Sequence, residues 1–193
     1  MSRISAKPRR AGVDQRARRT RMALAEALMT LGARDGIDRV DVRKLAAAAG
    51  VGRSTFYKHY ADKDDFFIKS FAGMVAAMDA HARAERPDYG TMLPARDVFQ
   101  HIEEARAFAL SLAASGQFAR TTAAREDVLR AIAEGNLKRV MPALPLVRRQ
   151  EIAVVLASAF VGLMRWWVEG GLRKDAAHVA ALYDSVARRV LQA

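Results

Sequence analysis

Apolar residues recur at intervals of three and four along most of the chain, which is the spacing of one buried helix face. In the first such stretch, from Asp14 to about Ala33, the stripe consists of Leu24, Ala27, Leu28 and Leu31. Later stripes predict helices over residues 63–81, 96–115, 122–140, 147–169 and 175–191. We therefore predict an all-α protein.

Residues 42–63 hold two short helical segments separated by a glycine. The first segment, residues 42–49, is rich in alanine and contains no Gly or Pro, which favours a helix. Gly50 can adopt the left-handed conformation that ends a helix in a tight turn. The helical pattern resumes shortly afterwards, and there Phe56 and Tyr60 lie four residues apart on one face. Two short helices joined by a tight glycine turn form a helix-turn-helix.

Three aspartates precede predicted helices and are candidate N-caps: Asp14, Asp41 and Asp62. A carboxylate at this position can accept a hydrogen bond from one of the free backbone N–H groups of the first turn. Gly36 is the predicted stop of the first helix. The spacing of caps and stops predicts that three helices are complete within residues 14–62.

The second helix of the helix-turn-helix turns hydrogen-bond donors away from Phe56 and Tyr60. Several side chains can reach base edges in the major groove; they are Arg43, Arg53, Ser54, Thr55, Lys58 and His59. Tyr57 and Lys63 suit phosphates, which set the register on DNA without reading its sequence. His59 has a second interpretation, in which its ring packs beside the turn.

Positive charge is concentrated at the N-terminal end of the chain. The net charge is +11, and residues 1–60 carry 14 Lys or Arg against five acids, a net of +9. Such a distribution is typical of a surface that binds a polyanion. Residues 1–13 show no apolar periodicity, so we predict a flexible basic arm that lies along phosphates or in the minor groove.

The helix-turn-helix resembles that of the TetR family of bacterial transcription regulators, from about Arg16 to about Phe67. The residues that carry the resemblance are Ala49, Gly50, Val51, Ser54, Thr55, Phe56, Tyr57, His59, Tyr60, Asp62 and Lys63. In the family, base-reading residues are common at the positions of Arg43, Arg53 and Lys58, and phosphate contacts at those of Thr55, Tyr57, His59 and Lys63. Gly32 departs from the bulky apolar residue that the family commonly has, so we expect looser packing there.

The resemblance implies a DNA-binding domain over residues 14–62 and a helical regulatory and dimerisation domain over residues 63–193. It implies a homodimer in which the helices at about 147–169 and 175–191 pair with their counterparts. It also implies a small-molecule effector bound in the second domain. Candidate lining residues, each of which could instead be plain core, are Met74, Met78, Phe99, Ile102, Phe108, Phe118, Phe160, Met164 and Trp167. Arg106 and Arg165 could bind an anionic effector or cap a helix.

Several function classes are disfavoured by the sequence. The chain has no Cys and its four His are not at metal-ligand spacing, so we expect no metal and no cofactor. The segment GVGRST lacks the Lys of a nucleotide-binding loop and follows an alanine-rich helix, which argues against an ATPase or GTPase site. The longest apolar run, residues 152–164, is too short to span a bilayer, and the basic start is not expected to be a secretory signal.

We therefore predict a cytoplasmic, non-enzymatic protein that binds double-stranded DNA sequence-specifically. The favoured role is a repressor that binds a palindromic operator as a homodimer and is released by an effector. An activator of the same fold is the alternative. Two rivals from other classes are a sequence-independent architectural DNA-binding protein and an enzyme with a basic appendage.

Overall fold

A computed structural model of the chain describes residues 9–85 and 92–192, with side chains from residue 15 onward. The described residues form α-helices and one 3₁₀ turn, Ile37–Arg39, and contain no strand, which confirms the all-α prediction. The helices are α1 (Arg9–Asp35), α2 (Val42–Ala48), α3 (Arg53–His59), α4 (Lys63–Glu85), α5 (Ala95–Glu104), α6 (Arg106–Ala114), α7 (Gln117–Arg120), α8 (Thr122–Val140), α9 (Leu146–Glu169) and α10 (Ala176–Gln192).

The first helix begins earlier than predicted. It starts at Arg9, so Asp14 is not its N-cap and residues 9–13 of the predicted flexible arm are helical. Arg, Ala and Gln, which are good helix formers, dominate residues 9–19 and outweigh Gly12. Residues 1–8 of the predicted arm lie outside the described part of the chain.

The segment predicted as one helix over residues 96–115 is two helices, α5 and α6. They meet at Ala105, which has φ −91° and ψ 28°. The break follows from tertiary packing, since α5 packs on α10 while α6 packs on α1 and α9. Gly116, with φ 68°, then ends α6 and allows the short helix α7, which the sequence pattern did not predict.

The core of the body, α4–α10, is built on an aromatic cluster. Phe99 stacks on Phe160 with ring centroids 5.0 Å apart, and Trp167 meets Phe99 edge-on at 5.7 Å. Tyr183 of α10 closes the cluster at 5.0 Å from Phe160. All four rings are almost fully buried. Burial of each such ring stabilises the fold by roughly 1.5–3 kcal/mol, and favourable ring pairs add to this.

Helix α9 is long and apolar enough, by length and composition, to cross a membrane, although its uninterrupted apolar run is shorter. Half of the most apolar 18-residue stretch of α9 is buried, and α9 packs against α8 and α10. Ile152, Leu156, Phe160 and Met164 repeat at four-residue spacing on its buried side. This burial is typical of the core helix of a soluble protein.

Gly32 of α1 does not loosen the packing as expected. A Cβ built at Gly32 would lie 2.6 Å from Ile37 Cδ1 and 2.8 Å from Phe108 Cδ2. The missing side chain is therefore what lets α6 approach α1 closely. Gly32 belongs to a contact between the helix-turn-helix unit, α1–α3, and the body.

Two hydrogen bonds tie the 3₁₀ turn to its surroundings. The Ile37 N–H donates to Ser111 Oγ of α6 at 2.8 Å, and Lys63 Nζ of α4 donates to the Ile37 carbonyl at 2.7 Å. Within the body, a third bond links α7 to the start of α4, since Gln117 Nε2 donates to Asp64 Oδ1 at 2.5 Å. The first two bonds fix the helix-turn-helix unit to α6 and α4 of the body.

Candidate nucleic-acid interface and ligand cavity

The turn of the helix-turn-helix forms as its sequence predicts. Asp41 Oδ1 accepts the Lys44 N–H at 2.7 Å and caps α2. At the other end of α2, the Val51 N–H donates to the Ala46 carbonyl at 2.9 Å and the Gly50 N–H donates to the Ala47 carbonyl at 3.1 Å. This pair of bonds is a Schellman motif, and Gly50, at φ 66°, supplies its left-handed residue.

Helix α3 is held by its aromatic side. Phe56 and Tyr60 are buried, with ring centroids 5.3 Å apart, and both pack on Phe66 of α4 at 5.7 and 4.8 Å. Burial raises the pKa of the Tyr60 hydroxyl. The turn into α4 is capped by Asp62, whose Oδ1 accepts the Asp65 N–H at 2.8 Å, as predicted. The opposite face of α3 is thereby fixed outward.

The predicted DNA-facing side chains lie on this outer surface to different degrees. Those that are exposed are Arg43, Arg53, Ser54, Tyr57 and Lys58, and those that are half-buried are Thr55, His59 and Lys63. Arg43, Arg53 and Lys58 form no ion pair with any described residue. The His59 ring lies 6.1 Å from that of Tyr60, so this residue both packs beside the turn and borders the surface.

Lys63 has an internal role that sequence reasoning missed. Its ammonium group bonds the Ile37 carbonyl and lies 5.9 Å from the centre of the Phe67 ring. Burial lowers its pKa. Lys63 therefore ties α4 to the 3₁₀ turn, and its phosphate contact stays a prediction.

An apolar cavity of about 280 Å³ lies between α1 and the body helices α4–α9. Of the predicted ligand residues, the cavity is lined by Met74, Ile102, Phe108, Phe118 and Met164. Met78, Phe99, Phe160 and Trp167 do not line it. The last three are in the buried aromatic cluster, where ring-to-ring packing occupies the faces that a ligand would need.

Sequence reasoning also missed Arg125, a charged residue in the cavity wall. Only 4% of Arg125 is exposed, and its Nη1 donates to the Phe118 carbonyl at 3.1 Å. Its guanidinium carbon lies 4.3 Å from the centre of the Phe118 ring and 5.4 Å from that of Phe71. Burial lowers its pKa to about 10, so the group remains charged at neutral pH. The sequence could have indicated that Arg125 is buried, since it lies at four-residue spacing from the apolar residues Leu129, Ala133 and Leu137 of α8.

Arg106 acts as a helix cap. Its Nη1 and Nη2 donate to the carbonyls of Leu172 and Gly171 at 2.9 and 2.6 Å. These carbonyls follow the end of α9, so Arg106 caps a neighbouring helix rather than its own. Arg165 is exposed. Among the described residues, no group of three His, Cys, Asp or Glu side chains could hold a metal ion.

Comparison with known proteins agrees with this geometry. Residues 24–69 match the family model described as bacterial regulatory proteins, tetR family. No curated protein sequence matches the chain significantly.

Solved structures of similar fold cover most of the chain. A TetR transcriptional regulator from Rhodococcus sp. RHA1 is 17% identical, with a TM-score of 0.61 over 92% of this chain and 97% of its own. Thermus thermophilus FadR, a TetR-family repressor in complex with lauroyl-CoA, is 18% identical, with a TM-score of 0.59 over 86% and 92%. The dihydroxyacetone kinase operon activator DhaS is 15% identical, with a TM-score of 0.54 over 90% and 94%. At such identities the likeness shows the fold alone.

The family match covers the helix-turn-helix that presents the exposed donors, and the fold of the whole chain is that of solved regulators. Residues 24–69 therefore match the helix-turn-helix of the TetR family of DNA-binding transcriptional regulators, and the chain has the fold of solved regulators of that family.

Proposed function

We propose that this regulator recognises a specific double-stranded DNA site by placing α3 in the major groove. The outward donor face of α3, fixed by the burial of Phe56 and Tyr60, is the observation that carries the proposal. Arg43, Arg53 and Lys58 lack ion-pair partners among the described residues, so their charges are available to DNA. An arginine that donates two hydrogen bonds to guanine is the commonest specific base contact.

We propose further that the protein acts as a homodimer on a palindromic operator. Helices α9 and α10 leave apolar side chains exposed, among them Val154, Val155 and Trp166 on α9 and Leu182 and Val186 on α10. An apolar face of this kind is normally buried, and a second copy of the chain would bury it with two-fold symmetry. The two α3 helices then read related half-sites one or more helical turns apart.

The favoured outcome is repression by occlusion of a promoter, with release by an effector bound in the cavity. Solved proteins of this fold include a repressor that binds lauroyl-CoA and an operon activator, so the fold itself leaves the sign of regulation open. Helix α7 offers a route by which ligand binding in the cavity could be coupled to α4. Phe118 lines the cavity, and the preceding Gln117 bonds Asp64 at the start of α4.

Regulators of this family are generally not enzymes, and we propose that this one works in the cytoplasm, where its DNA is. The test is selection of bound sequences from a random duplex pool at near-physiological salt. An enriched palindrome is the expected result. Enrichment of a single half-site would contradict dimeric recognition. Binding without any enrichment would favour the architectural rival, whose affinity depends on salt but not on sequence.

A further inference from the structure

Arg125 is a buried cation that forms no ion pair with any described residue. Burial lowers its pKa, because the charged form loses water of hydration. Its partners are the Phe118 carbonyl and the faces of two phenylalanine rings. A buried unpaired charge is expensive, and a carbonyl with two ring faces compensates for it only in part.

The guanidinium has hydrogen-bonding capacity left over. An arginine carries five N–H donors, and one bond from Arg125 to a described residue is formed. Among the described side chains, the buried polar atom that is sealed without a partner is the Tyr183 hydroxyl, not a nitrogen of Arg125. The remaining N–H groups are therefore not completely enclosed, and Arg125 is one of the residues that line the cavity.

The rest of the wall is almost entirely apolar. It includes Leu28, Met74, Phe108, Leu112 and Met164. Among the described residues, the polar exceptions besides Arg125 are Ser70 and His101, and no described Asp or Glu lines the cavity. Such a wall accepts a hydrocarbon body, and the flexible methionines allow it to adapt to shape. A carboxylate head would be repelled by none of these lining side chains.

We propose that the cavity binds a small amphipathic carboxylate whose anionic head pairs with the Arg125 guanidinium and whose apolar body fills the space toward Met74 and Met164. Guanidinium and carboxylate groups match in two parallel hydrogen bonds, which are among the strongest in proteins. At about 30 Å³ per water-sized group, a cavity of about 280 Å³ holds on the order of nine groups. An eight-carbon acid is therefore the probe of choice. The inference deepens the proposed effector role of this cavity and rests on it.

The experiment is calorimetric titration of the purified full-length chain with octanoate and, separately, with 1-octanol, without DNA. The alcohol has the same apolar body but no charge. We expect the wild type to bind octanoate about ten- to hundredfold more tightly than octanol, as the strength of hydrogen bonds to charged groups predicts. Arg125→Met should abolish this preference and leave octanol affinity within about twofold.

Two further variants keep the test decisive. Arg130→Met removes a cation from the same helix that does not line the cavity and already pairs with Asp127 and Glu134, so it should keep the preference. Arg125→Lys retains the charge and is expected to keep a reduced preference even if the methionine variant fails to fold. Equal affinities for acid and alcohol in the wild type, no binding of either, or a preference that survives in a folded Arg125→Met protein would each overturn the proposal.

Operator affinity measured with and without octanoate separates this inference from the proposed function. Octanoate binding with unchanged DNA affinity would leave the anion site standing and remove its role as an effector site. DNA selection without octanoate binding would leave the regulator standing and remove the anion site.

Discussion

Replacement of Gly32 by alanine tests how closely the helix-turn-helix unit is fitted to the body. The new Cβ would lie 2.6 Å from Ile37 Cδ1 and 2.8 and 2.9 Å from two ring carbons of Phe108. Carbon atoms are normally separated by about 3.5–4.0 Å. Ile37 is 1% exposed and cannot swing into solvent, whereas Phe108 can move toward the cavity that it lines.

Two opposing effects set the magnitude. Overpacking of this kind costs about 1–3 kcal/mol, while a Gly-to-Ala change within a helix gains about 1 kcal/mol. Gly32→Ala should therefore lower the free energy of unfolding by about 0–2 kcal/mol. Gly73→Ala is the matched control, because Gly73 lies within α4 and a Cβ there would have no atom within 4 Å. That variant should gain stability, so the two should differ by about 1–3 kcal/mol.

The assay is urea unfolding followed by far-ultraviolet circular dichroism, at one protein concentration, because the proposed dimerisation would make stability depend on concentration. Displacement of Phe108 should also shrink the cavity and weaken octanoate binding in Gly32→Ala alone. If Gly32→Ala is as stable as Gly73→Ala, the close approach of α6 to α1 is not what the glycine provides, and the reasoning is refuted.

Three other predictions concern the DNA surface, the cap of α2 and the dimer. Arg53→Ala should weaken binding to the selected operator by about 1–3 kcal/mol in gel-shift titrations and relax base preference, whereas Tyr57→Phe should weaken operator and random DNA alike; equal losses for Arg53→Ala on both would contradict base reading. The hydrogen bond from the Lys44 N–H lowers the pKa of Asp41 below its ordinary value of 3.8. The ionised Asp41 therefore stabilises the fold above pH 3.8, and this stabilisation is lost as the pH falls through the lowered pKa of the folded protein. Asp41→Asn keeps a capping oxygen but does not titrate. The difference in melting temperature between wild type and this variant should therefore shift in favour of the variant as the pH falls from 5 to 2; a constant difference would exclude the ionised cap. Trp166→Glu should yield monomers in sedimentation and lose operator affinity, while Val140→Glu, at a similarly exposed apolar site on α8, should remain dimeric; a dimeric Trp166→Glu protein would move the interface elsewhere.

The sequence by itself determined those features that depend on neighbouring residues along the chain. The alanine-rich α2, the cap at Asp41 and the left-handed Gly50 are set by backbone propensity and short-range hydrogen bonds, which act within one turn. Four-residue spacing likewise determined that Phe56 and Tyr60 face inward. The outward position of Arg53, Ser54, Tyr57 and Lys58 on α3 follows from these short-range effects.

Only the tertiary structure decided features that depend on segments far apart in sequence. The break at Ala105 exists because α5 and α6 have different packing partners, and Gly32 is required because Phe108 approaches from the body. Phe160 is part of the core and Phe118 lines the cavity, although both are aromatic residues in similar sequence patterns. The difference arises because packing depends on the side chains that neighbouring helices bring close. Whether Arg125 is solvated or buried without a carboxylate is likewise set by the helices around it, since desolvation and the distance to a counter-charge are properties of three-dimensional space and not of local sequence.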